Sequence, residues 1–229
     1  MAQFSNVPQR SLDWYRDRLG KITGSSVGDL MGKGKGAEFS KTGLSYLNSV
    51  AAERMLPDVI VSDDDLFSQY VDEVDISNKA MRIGSEREAE ARDLYVEVTK
   101  TPVMESGSIP SSSLEGFASS PDGLVVAEET GEIEGTIEIK CPKPSTYFEY
   151  KTSVKDATSL LKTNPDYYWQ CISHMEVTGA KWCDFIVFCP YNRLPLHIVR
   201  INRDEEAITK LKERVATANK YLNDLLTAA

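Results

Sequence analysis

The 229-residue sequence has little cysteine, and the cysteines it has are unevenly placed. No cysteine lies in the first 140 residues, no two form a C-x-x-C pair, and the four positions are Cys141, Cys171, Cys183 and Cys189. Zinc ribbons and four-cysteine iron–sulfur clusters require closely spaced thiolates, so the sequence supports neither. We expect buried, reduced thiols instead.

Long apolar segments are also missing. Hydrophobic residues make up 41% of the chain, enough for a sizeable core, but no run approaches the roughly 18 residues that a bilayer span requires. The N-terminus, MAQFSNVPQR, has no basic segment followed by an apolar one, so no secretory signal is visible and a cytoplasmic location is expected. The length favours a single domain over residues 1–229.

Positive charge is in the minority, with 26 Lys and Arg against 35 Asp and Glu and a net charge of −9. This balance argues against a uniformly basic surface for nucleic acid. The acidic residues are concentrated in residues 57–138, which carry 20 acidic and 5 basic side chains, whereas the segments before and after each have a net charge of +3. A basic segment beside an acidic centre would suit a protein that holds phosphate with one part and divalent metal with another.

Capping residues and glycines divide the N-terminal third into short elements. Ser11 precedes LDWYRDRL and predicts a short helix, and a second short helix is expected from Thr23. The segment 32–43 is rich in glycine and lysine and is predicted to be a basic loop. The acidic segment 57–75 shows little periodicity, so a loop is predicted there too.

The sequence from Ser77 onward predicts a long helix. Apolar residues recur every three or four positions, and Glu88 lies in the same stripe as Ala91, Tyr95 and Val98. Burying an ionised carboxylate without a partner costs several kcal/mol, so a cation or proton donor is expected opposite Glu88. A buried salt bridge would satisfy the same demand.

After Thr101 the pattern changes to short apolar segments separated by turn residues, which indicates strands of one sheet. The chain then returns to helix, with Asn164 and Pro165 at the start of a segment that Gly179 ends. KWCDFIVFC reads as a central strand, LHIVRI as another, and residues 204–226 as a closing helix. This order predicts an α/β (α+β) fold with a central mixed sheet flanked by helices.

A carboxylate and an amine share one face of the predicted strand GTIEIK. The two-residue period of a strand places Glu138 and Lys140 on one side and Ile137 and Ile139 on the other. Asp122, in the turn SSPDGLVV, begins a strand that would form a hairpin with this segment. The hairpin can therefore bring the three charged side chains to one spot.

Two carboxylates at contact distance repel one another unless a cation neutralises them, and hard oxygen ligands select Mg²⁺ or Mn²⁺. With Glu88 the site would have three carboxylates, the equipment for one or two magnesium ions at a phosphodiester. The pattern is selective within this chain. A second E-x-K triplet, Glu149-Tyr-Lys151, has no strand alternation and no Pro-Asp pair in the 20 residues before it.

This arrangement resembles the PD-(D/E)xK nucleases, and the surrounding motifs resemble one branch of them, the phage lambda exonuclease and YqaJ-type viral recombinase family. Five segments match the motifs of that branch in order, namely WYRDRLGKITGSSV, GSEREAEAR, SSPDGL, EIKCP and YYWQCISHM. The resemblance implies a restriction-endonuclease-like core. The iron–sulfur branch of these nucleases needs a cysteine near the N-terminus, which this chain lacks.

The resemblance also implies roles at a metal centre. Its ligands would be the side chains of Asp122 and Glu138 and the backbone carbonyl of Ile139. Glu88 would help to hold a second ion or its waters. Lys140 would orient or deprotonate the attacking water, and Gln170 would position Lys140 or the water.

Further residues match positions that grip DNA in this family. Arg18, Ser25 and Ser120 would hold the 5′-phosphate, since a guanidinium forks onto phosphate and Ser25 is expected near a helix N-terminus. Met81 would wedge between the strands at the duplex end. His174 and His197 lack metal-ligand spacing and are interpreted as structural or surface residues.

The implied activity is that of a Mg²⁺-dependent exonuclease, with Mn²⁺ as a substitute and two ions at the site. It would digest one strand of linear duplex DNA from a 5′-phosphorylated end, release mononucleotides and leave a 3′ single strand. A homotrimeric ring around DNA, a single-strand annealing recombinase as partner and the cytoplasm of a bacterial host are implied as well. Two other functions stay open: a repair or restriction-type endonuclease, and a non-catalytic module that binds DNA ends.

Overall fold

The computed structural model describes the backbone of residues 7–74 and 79–228 and the side chains of residues 7–74 and 87–228. Within these residues the chain forms ten helices: α1 Leu12–Arg18, α2 Gly28–Met31, α3 Lys41–Arg54, α4 Asp58–Ser62, α5 Asp64–Val74, α6 Lys79–Thr99, α7 Pro144–Ser153, α8 Ala157–Thr163, α9 Pro165–Thr178 and α10 Glu205–Ala228. Seven strands accompany them: β1 Ile22–Thr23, β2 Ile109–Pro110, β3 Phe117–Ser119, β4 Gly123–Val126, β5 Ile133–Lys140, β6 Trp182–Phe188 and β7 Leu196–Asn202. None of the helices in this described part is both long and apolar enough to cross a bilayer.

A four-stranded mixed sheet lies at the centre of the fold, with the strand order β4-β5-β6-β7. β4 and β5 form the expected antiparallel hairpin, β5 and β6 are parallel, and β6 and β7 are antiparallel. A parallel pair needs a long crossover, which here consists of α7, α8 and α9. The predicted α/β class with a mixed sheet flanked by helices is confirmed.

The prediction of a single sheet after Thr101 is wrong. β1, β2 and β3 form a second, three-stranded sheet in which β3 is central, parallel to β1 and antiparallel to β2. The strand β1 is only two residues long, and its Ile22 pairs with Phe117 far along the chain. A local hydrophobic pattern cannot reveal such a short strand or such a distant partner.

Helices α6 and α9 contact the four-stranded sheet through different clusters of side chains. Ile137 and Ile139 of β5 pack with Ala91 and Tyr95 of α6, as the predicted inward stripe requires. The stripe ends there, because Val98 is 61% exposed. Helix α9 contacts β5 and β6 as well as β2 and β3 of the small sheet, so it is buried from Tyr168 to Met175 and its polar side chains are enclosed.

The acidic segment 57–75 is helical where it is described, and the predicted loop is wrong. It contains α4 and α5, and Phe67 and Val71 of α5 are buried one turn apart. The guanidinium of Arg16 lies 4.9 Å from the Phe67 ring centroid and 2.5 Å from a carboxylate oxygen of Asp64. Because α5 buries only a narrow stripe of residues, its many acidic side chains remain in solvent. The apolar residues are then too few for the sequence to show a helical period.

Candidate active site

Strand β5 carries the predicted pair of charged side chains on one face. Glu138 is 1% exposed and its Oε1 lies 2.5 Å from Nζ of Lys140, whereas Ile137 and Ile139 belong to the apolar cluster around α6. The sequence-based assignment of the two faces is therefore confirmed.

Asp122 immediately precedes β4 and lies beside β5, its partner strand in the hairpin. Its amide donates to the carbonyl of Ile137 over 3.1 Å, and its Oδ2 accepts a 2.6 Å hydrogen bond from the amide of Ile139. The hairpin register thus fixes the carboxylate beside the backbone of the Glu138–Lys140 segment.

Helix α9 supplies partners for both charged residues of β5. Gln170 accepts a 3.2 Å hydrogen bond from Nζ of Lys140 through its Oε1. His174, one turn later, places Nε2 2.6 Å from Oε2 of Glu138. The predicted contact between Gln170 and Lys140 is present.

Burial and mutual repulsion dominate the electrostatics of the carboxylates. Burial raises the pKa of Asp122 well above its usual range, and the neighbouring Glu138 and Glu88 raise it further. Burial alone would raise the pKa of Glu138, but Lys140 and His174 hold it below its usual value. Burial alone would lower the pKa of Lys140, but Glu138 and Asp122 raise it above its usual range, so the ammonium is their counter-ion.

The donor set suits a hard divalent cation. Oε1 of Glu138 is buried without a hydrogen bond and has the Lys140 ammonium as its close contact. A cation beside Glu138 and Asp122 would relieve the repulsion that raises the pKa of Asp122. Among the described side chains, however, no three His, Cys, Asp or Glu residues are grouped as a metal site in the present arrangement.

Glu88 has a partner that the sequence did not indicate. Both of its carboxylate oxygens accept hydrogen bonds from Nη2 of Arg10, at 2.9 and 3.1 Å. Glu88 is close enough to raise the pKa of Asp122, so it borders the same site. The alternative of a salt bridge is present, but the pair is not buried as expected, since the side chains of Arg10 and Glu88 are 47% and 19% exposed.

The thiol that follows Lys140 is unsuited to nucleophilic chemistry. Burial, with Glu88 and Asp122, raises the pKa of Cys141 to about 12. Cys141 is half-buried rather than fully buried, and the other three cysteines are buried and free.

The three residues assigned to the 5′-phosphate lie together. Arg18 donates from Nη1 to Oγ of Ser120 and from Nη2 to Oγ of Ser25, both over 3.1 Å. Trp14 donates to the same Ser120 hydroxyl over 3.2 Å, and its ring lies 4.2 Å from the Arg18 guanidinium. Arg18 has no ion pair among the described residues, so its charge is available to an anion. Burial lowers the pKa of Arg18 from its usual value, as expected for a cation without an anionic partner.

Ser25 lies two residues before Val27, the N-cap of α2, and is therefore near a helix N-terminus as expected, but the predicted start of this helix at Thr23 is wrong. Residues from Thr23 onward do not start α2, which begins only at Gly28 and is four residues long. Thr23 is instead part of β1 and pairs with Ala118. Pairing with the small sheet keeps only Ile22 and Thr23 extended, and a turn over residues 24–27 carries Ser25 from β1 towards the start of α2.

Two sequence assignments remain without a structural account, and the contacts of three residues were not predicted from the sequence. Met81 lies on α6, but its side chain is outside the described residues, and the Ile139 carbonyl stays a predicted ligand. Arg10 and Ser119 carried no local signal. His174 did carry one, since it follows Gln170 by four residues and therefore shares its helix face.

Gly24 is needed where the small sheet meets α9. A Cβ at this position would lie 2.1 Å from Oγ of Ser119 and 3.0 Å from Cβ of Ser173. We expect Gly24→Ala to lower the free energy of unfolding by about 1–3 kcal/mol, because both neighbours are buried and must shift. Urea denaturation measures the change. Gly32→Ala is the control, since a Cβ there meets only Ser40 at 3.9 Å; equal stability of the two variants would contradict the close packing.

Comparison with known proteins gives a family match and several structural matches. The family described as YqaJ-like viral recombinase domain matches residues 13–181. An alkaline exonuclease from Laribacter hongkongensis, LHK-Exo, has a TM-score of 0.73 and 28% identity over 95% of both chains. The same enzyme in complex with dAMP gives a TM-score of 0.73 and 29% identity, again over 95% of both chains.

A phage-related exonuclease from Haemophilus somnus 129PT has a TM-score of 0.62 and 19% identity, covering 91% of this chain and 96% of the other. At this identity the match supports the fold alone. A search of curated proteins found no match.

Proposed function

The chain belongs to the YqaJ-like viral recombinase domain family, and we propose that it is a divalent-cation-dependent exonuclease acting on linear duplex DNA from 5′-phosphorylated ends. LHK-Exo, 28% identical over 95% of both chains, is an alkaline exonuclease, which supports a nuclease role. The proposed products are 5′-mononucleotides and a 3′ single strand for phage-type recombination.

One observation carries the proposal: the group of Arg18, Ser25 and Ser120 adjoins the carboxylates of Asp122 and Glu138. Ser120 binds Arg18, and Asp122, only two residues later, binds the backbone of Ile139. Two residues span at most about 7 Å. An exonuclease that reads a terminal phosphate and cuts the next phosphodiester needs these two sites side by side.

The carboxylates of Asp122 and Glu138, with the carbonyl of Ile139, would hold Mg²⁺ or Mn²⁺, and Glu88 would serve a second ion after leaving Arg10. When bound, such a cation lowers the pKa of water and stabilises charge on the scissile phosphate. Glu138 is fixed on β5 and Asp122 by the hairpin, so the chain holds two ligands before any cation arrives.

Lys140 would orient the attacking water as an ammonium, or would accept its proton as a neutral amine if the positive charge of a bound cation lowered the pKa of Lys140. Its ammonium contacts Glu138 and is held by Gln170 of α9. If a divalent cation were the partner of Glu138, Lys140 would be free to turn towards the water, and its bond to Gln170 would keep it in the site. The Tyr167 ring, 4.6 Å from Nζ, limits its movement on one side.

Arg18, Ser25 and Ser120 would bind the terminal 5′-phosphate. In the present arrangement Arg18 donates to both hydroxyls. A phosphate could replace the serines as acceptor of the two guanidinium bonds and receive bonds from their hydroxyls in turn. Met81 would act as the wedge at the duplex end.

A homotrimeric ring that encloses DNA and a single-strand annealing recombinase as partner complete the proposal. A ring would reconcile a net charge of −9 with DNA binding, because basic side chains need only line the channel.

Digestion of linear and closed circular duplex DNA with Mg²⁺, with Mn²⁺ and with excess chelator tests the proposal. We expect mononucleotides from linear DNA with either metal, and none from circular DNA or after chelation. Cleavage of circles would instead indicate an endonuclease, and end binding without hydrolysis would indicate a non-catalytic module.

The segment between α2 and α3 gives a further prediction. Lys33 and Lys35 are exposed on a short turn closed by a bridge between Gly34 and Ala37. If both lysines contact phosphate, the double alanine variant should reduce the slope of log affinity against log salt by about 2. Fluorescence anisotropy with labelled duplex measures this slope. The matched control replaces Lys162 of α8 and Lys220 of α10 and should leave it unchanged; equal slopes for both variants would remove the segment from the DNA interface.

A further inference from the structure

A buried chain of hydrogen bonds reaches the candidate metal ligand Glu138 from the interior. Oγ of Ser119 lies 2.8 Å from Nδ1 of His174, and Nε2 of His174 lies 2.6 Å from Oε2 of Glu138. Ser119 and His174 are 0% exposed and Glu138 is 1% exposed. Water therefore cannot replace any of these three groups as a hydrogen-bond partner.

The ionised carboxylate of Glu138 determines the direction of its bond with His174, and the tautomer of His174 determines the direction of the bond with Ser119. An ionised carboxylate only accepts, so Nε2 of His174 must carry a proton and donate it to Glu138. In the neutral ring Nδ1 is then an acceptor, and the Ser119 hydroxyl donates to it. Ser119 thereby selects the tautomer and ring orientation that Glu138 requires.

The spacing of α9 matches that of β5. Two residues of a strand advance about 6.6 Å and four residues of a helix about 6 Å. Gln170 can therefore contact Lys140. His174, one turn further along α9, can contact Glu138 at the same time. Helix α9 holds the reactive amine and the carboxylate as one unit.

The two oxygens of Glu138 have different surroundings. Oε2 is bound by His174, whereas Oε1 has no hydrogen bond and contacts the Lys140 ammonium. With one oxygen fixed from the interior, the carboxylate cannot rotate without breaking a buried bond. Its other oxygen stays directed at the Lys140 ammonium, the position that a divalent cation would take.

We propose that His174 is a positioning residue of the metal centre, which fixes Glu138 through Nε2 so that Oε1 faces the divalent cation, and that Ser119 orients His174. The proposal rests on the metal-dependent function proposed above. Groups that orient metal ligands in this way typically contribute 10- to 100-fold to metal affinity.

Calorimetric titration of the DNA-free protein with Mn²⁺ alone tests the proposal without relying on activity. We expect His174→Phe, which keeps a ring but removes both nitrogens, to weaken Mn²⁺ binding about 10- to 100-fold. His174→Gln retains a side-chain N–H of similar reach and should recover most of the affinity. His197→Gln is the matched control and should bind as the unmodified protein does, because His197 contacts the carbonyl of Val154 instead.

Ser119→Ala provides a second measurement that does not remove the ring. We expect it to weaken Mn²⁺ binding several-fold and to raise the Mn²⁺ concentration for half-maximal hydrolysis more than it lowers kcat. Unchanged Mn²⁺ affinity in Ser119→Ala or in folded His174→Phe would overturn the inference. If the unmodified protein itself binds no Mn²⁺, the proposed function fails instead, so the two failures are distinguishable.

Discussion

Replacing Lys140 with alanine is expected to reduce kcat for hydrolysis of 5′-phosphorylated linear duplex by about 10²- to 10⁴-fold, the usual contribution of a positioned acid–base group. Lys140 is the amine that the strand period of β5 and the bond to Gln170 direct into the site. Release of labelled mononucleotides under saturating Mg²⁺ measures the effect.

The same substitution should leave divalent metal binding intact or make it tighter. Lys140 contacts Oε1 of Glu138, which is the oxygen that a cation would take. Loss of activity with undiminished Mn²⁺ affinity is therefore the expected combination, and it separates a catalytic role from a structural one. Nuclease activity that survives in Lys140→Ala would show that the active site lies elsewhere.

Lys151→Ala is the matched control for this experiment. Lys151 ends the second E-x-K triplet, but that triplet lies on α7, where residues two apart do not share a face. Its ammonium is 3.3 Å from the carbonyl of Leu194. We expect this variant to retain the kcat of the unmodified protein.

Replacing Arg18 with alanine is expected to abolish the preference for 5′-phosphorylated over 5′-hydroxyl ends. A hydrogen bond to a charged group contributes about 1.5–3 kcal/mol, which corresponds to roughly a 10- to 100-fold fall in kcat/KM on the phosphorylated duplex. The rate on 5′-hydroxyl ends should change little, because the missing charge has no phosphate to bind. Parallel digestion of both duplexes gives the ratio.

Arg16→Ala tests whether any arginine of α1 has the same effect. Arg16 faces Asp13, Asp64 and the Phe67 ring, so its loss should affect stability without changing the ratio between the two ends. Arg18→Lys should restore only part of the preference, since an ammonium cannot fork onto phosphate. Equal ratios in Arg18→Ala and the unmodified protein would remove Arg18 from end recognition.

Periodic patterns gave correct predictions where each element buries one face. The alternation in GTIEIK predicted which side chains of β5 are charged neighbours and which are apolar, and Asn164 and Gly179 marked both ends of α9. The helices α4 and α5 were not predicted, because they bury few apolar residues and their many solvated carboxylates obscure the helical period.

Residues of the candidate site could be predicted from the sequence only where they belong to a recognisable motif. Arg18, Ser25 and Ser120 were assigned by resemblance, and the structure brings their side chains together. Arg10 was not assigned, although it binds Glu88, because an arginine far from its partner in sequence leaves no local pattern. His174 is buried, which agrees with its interpretation as a structural residue, but its contact with Glu138 was not predicted because the two residues are 36 positions apart.

By itself, the sequence determined the secondary elements with a clear hydrophobic period, the hairpin that brings Asp122 to β5, and the family. Only the tertiary structure decided that β1, β2 and β3 form a second sheet on α9, that Glu88 pairs with Arg10, and that Ser119 and His174 are hydrogen-bonded in series to Glu138. The reason is physical. Periodicity reports which face of one element is buried, whereas a contact between elements depends on how several buried faces pack together.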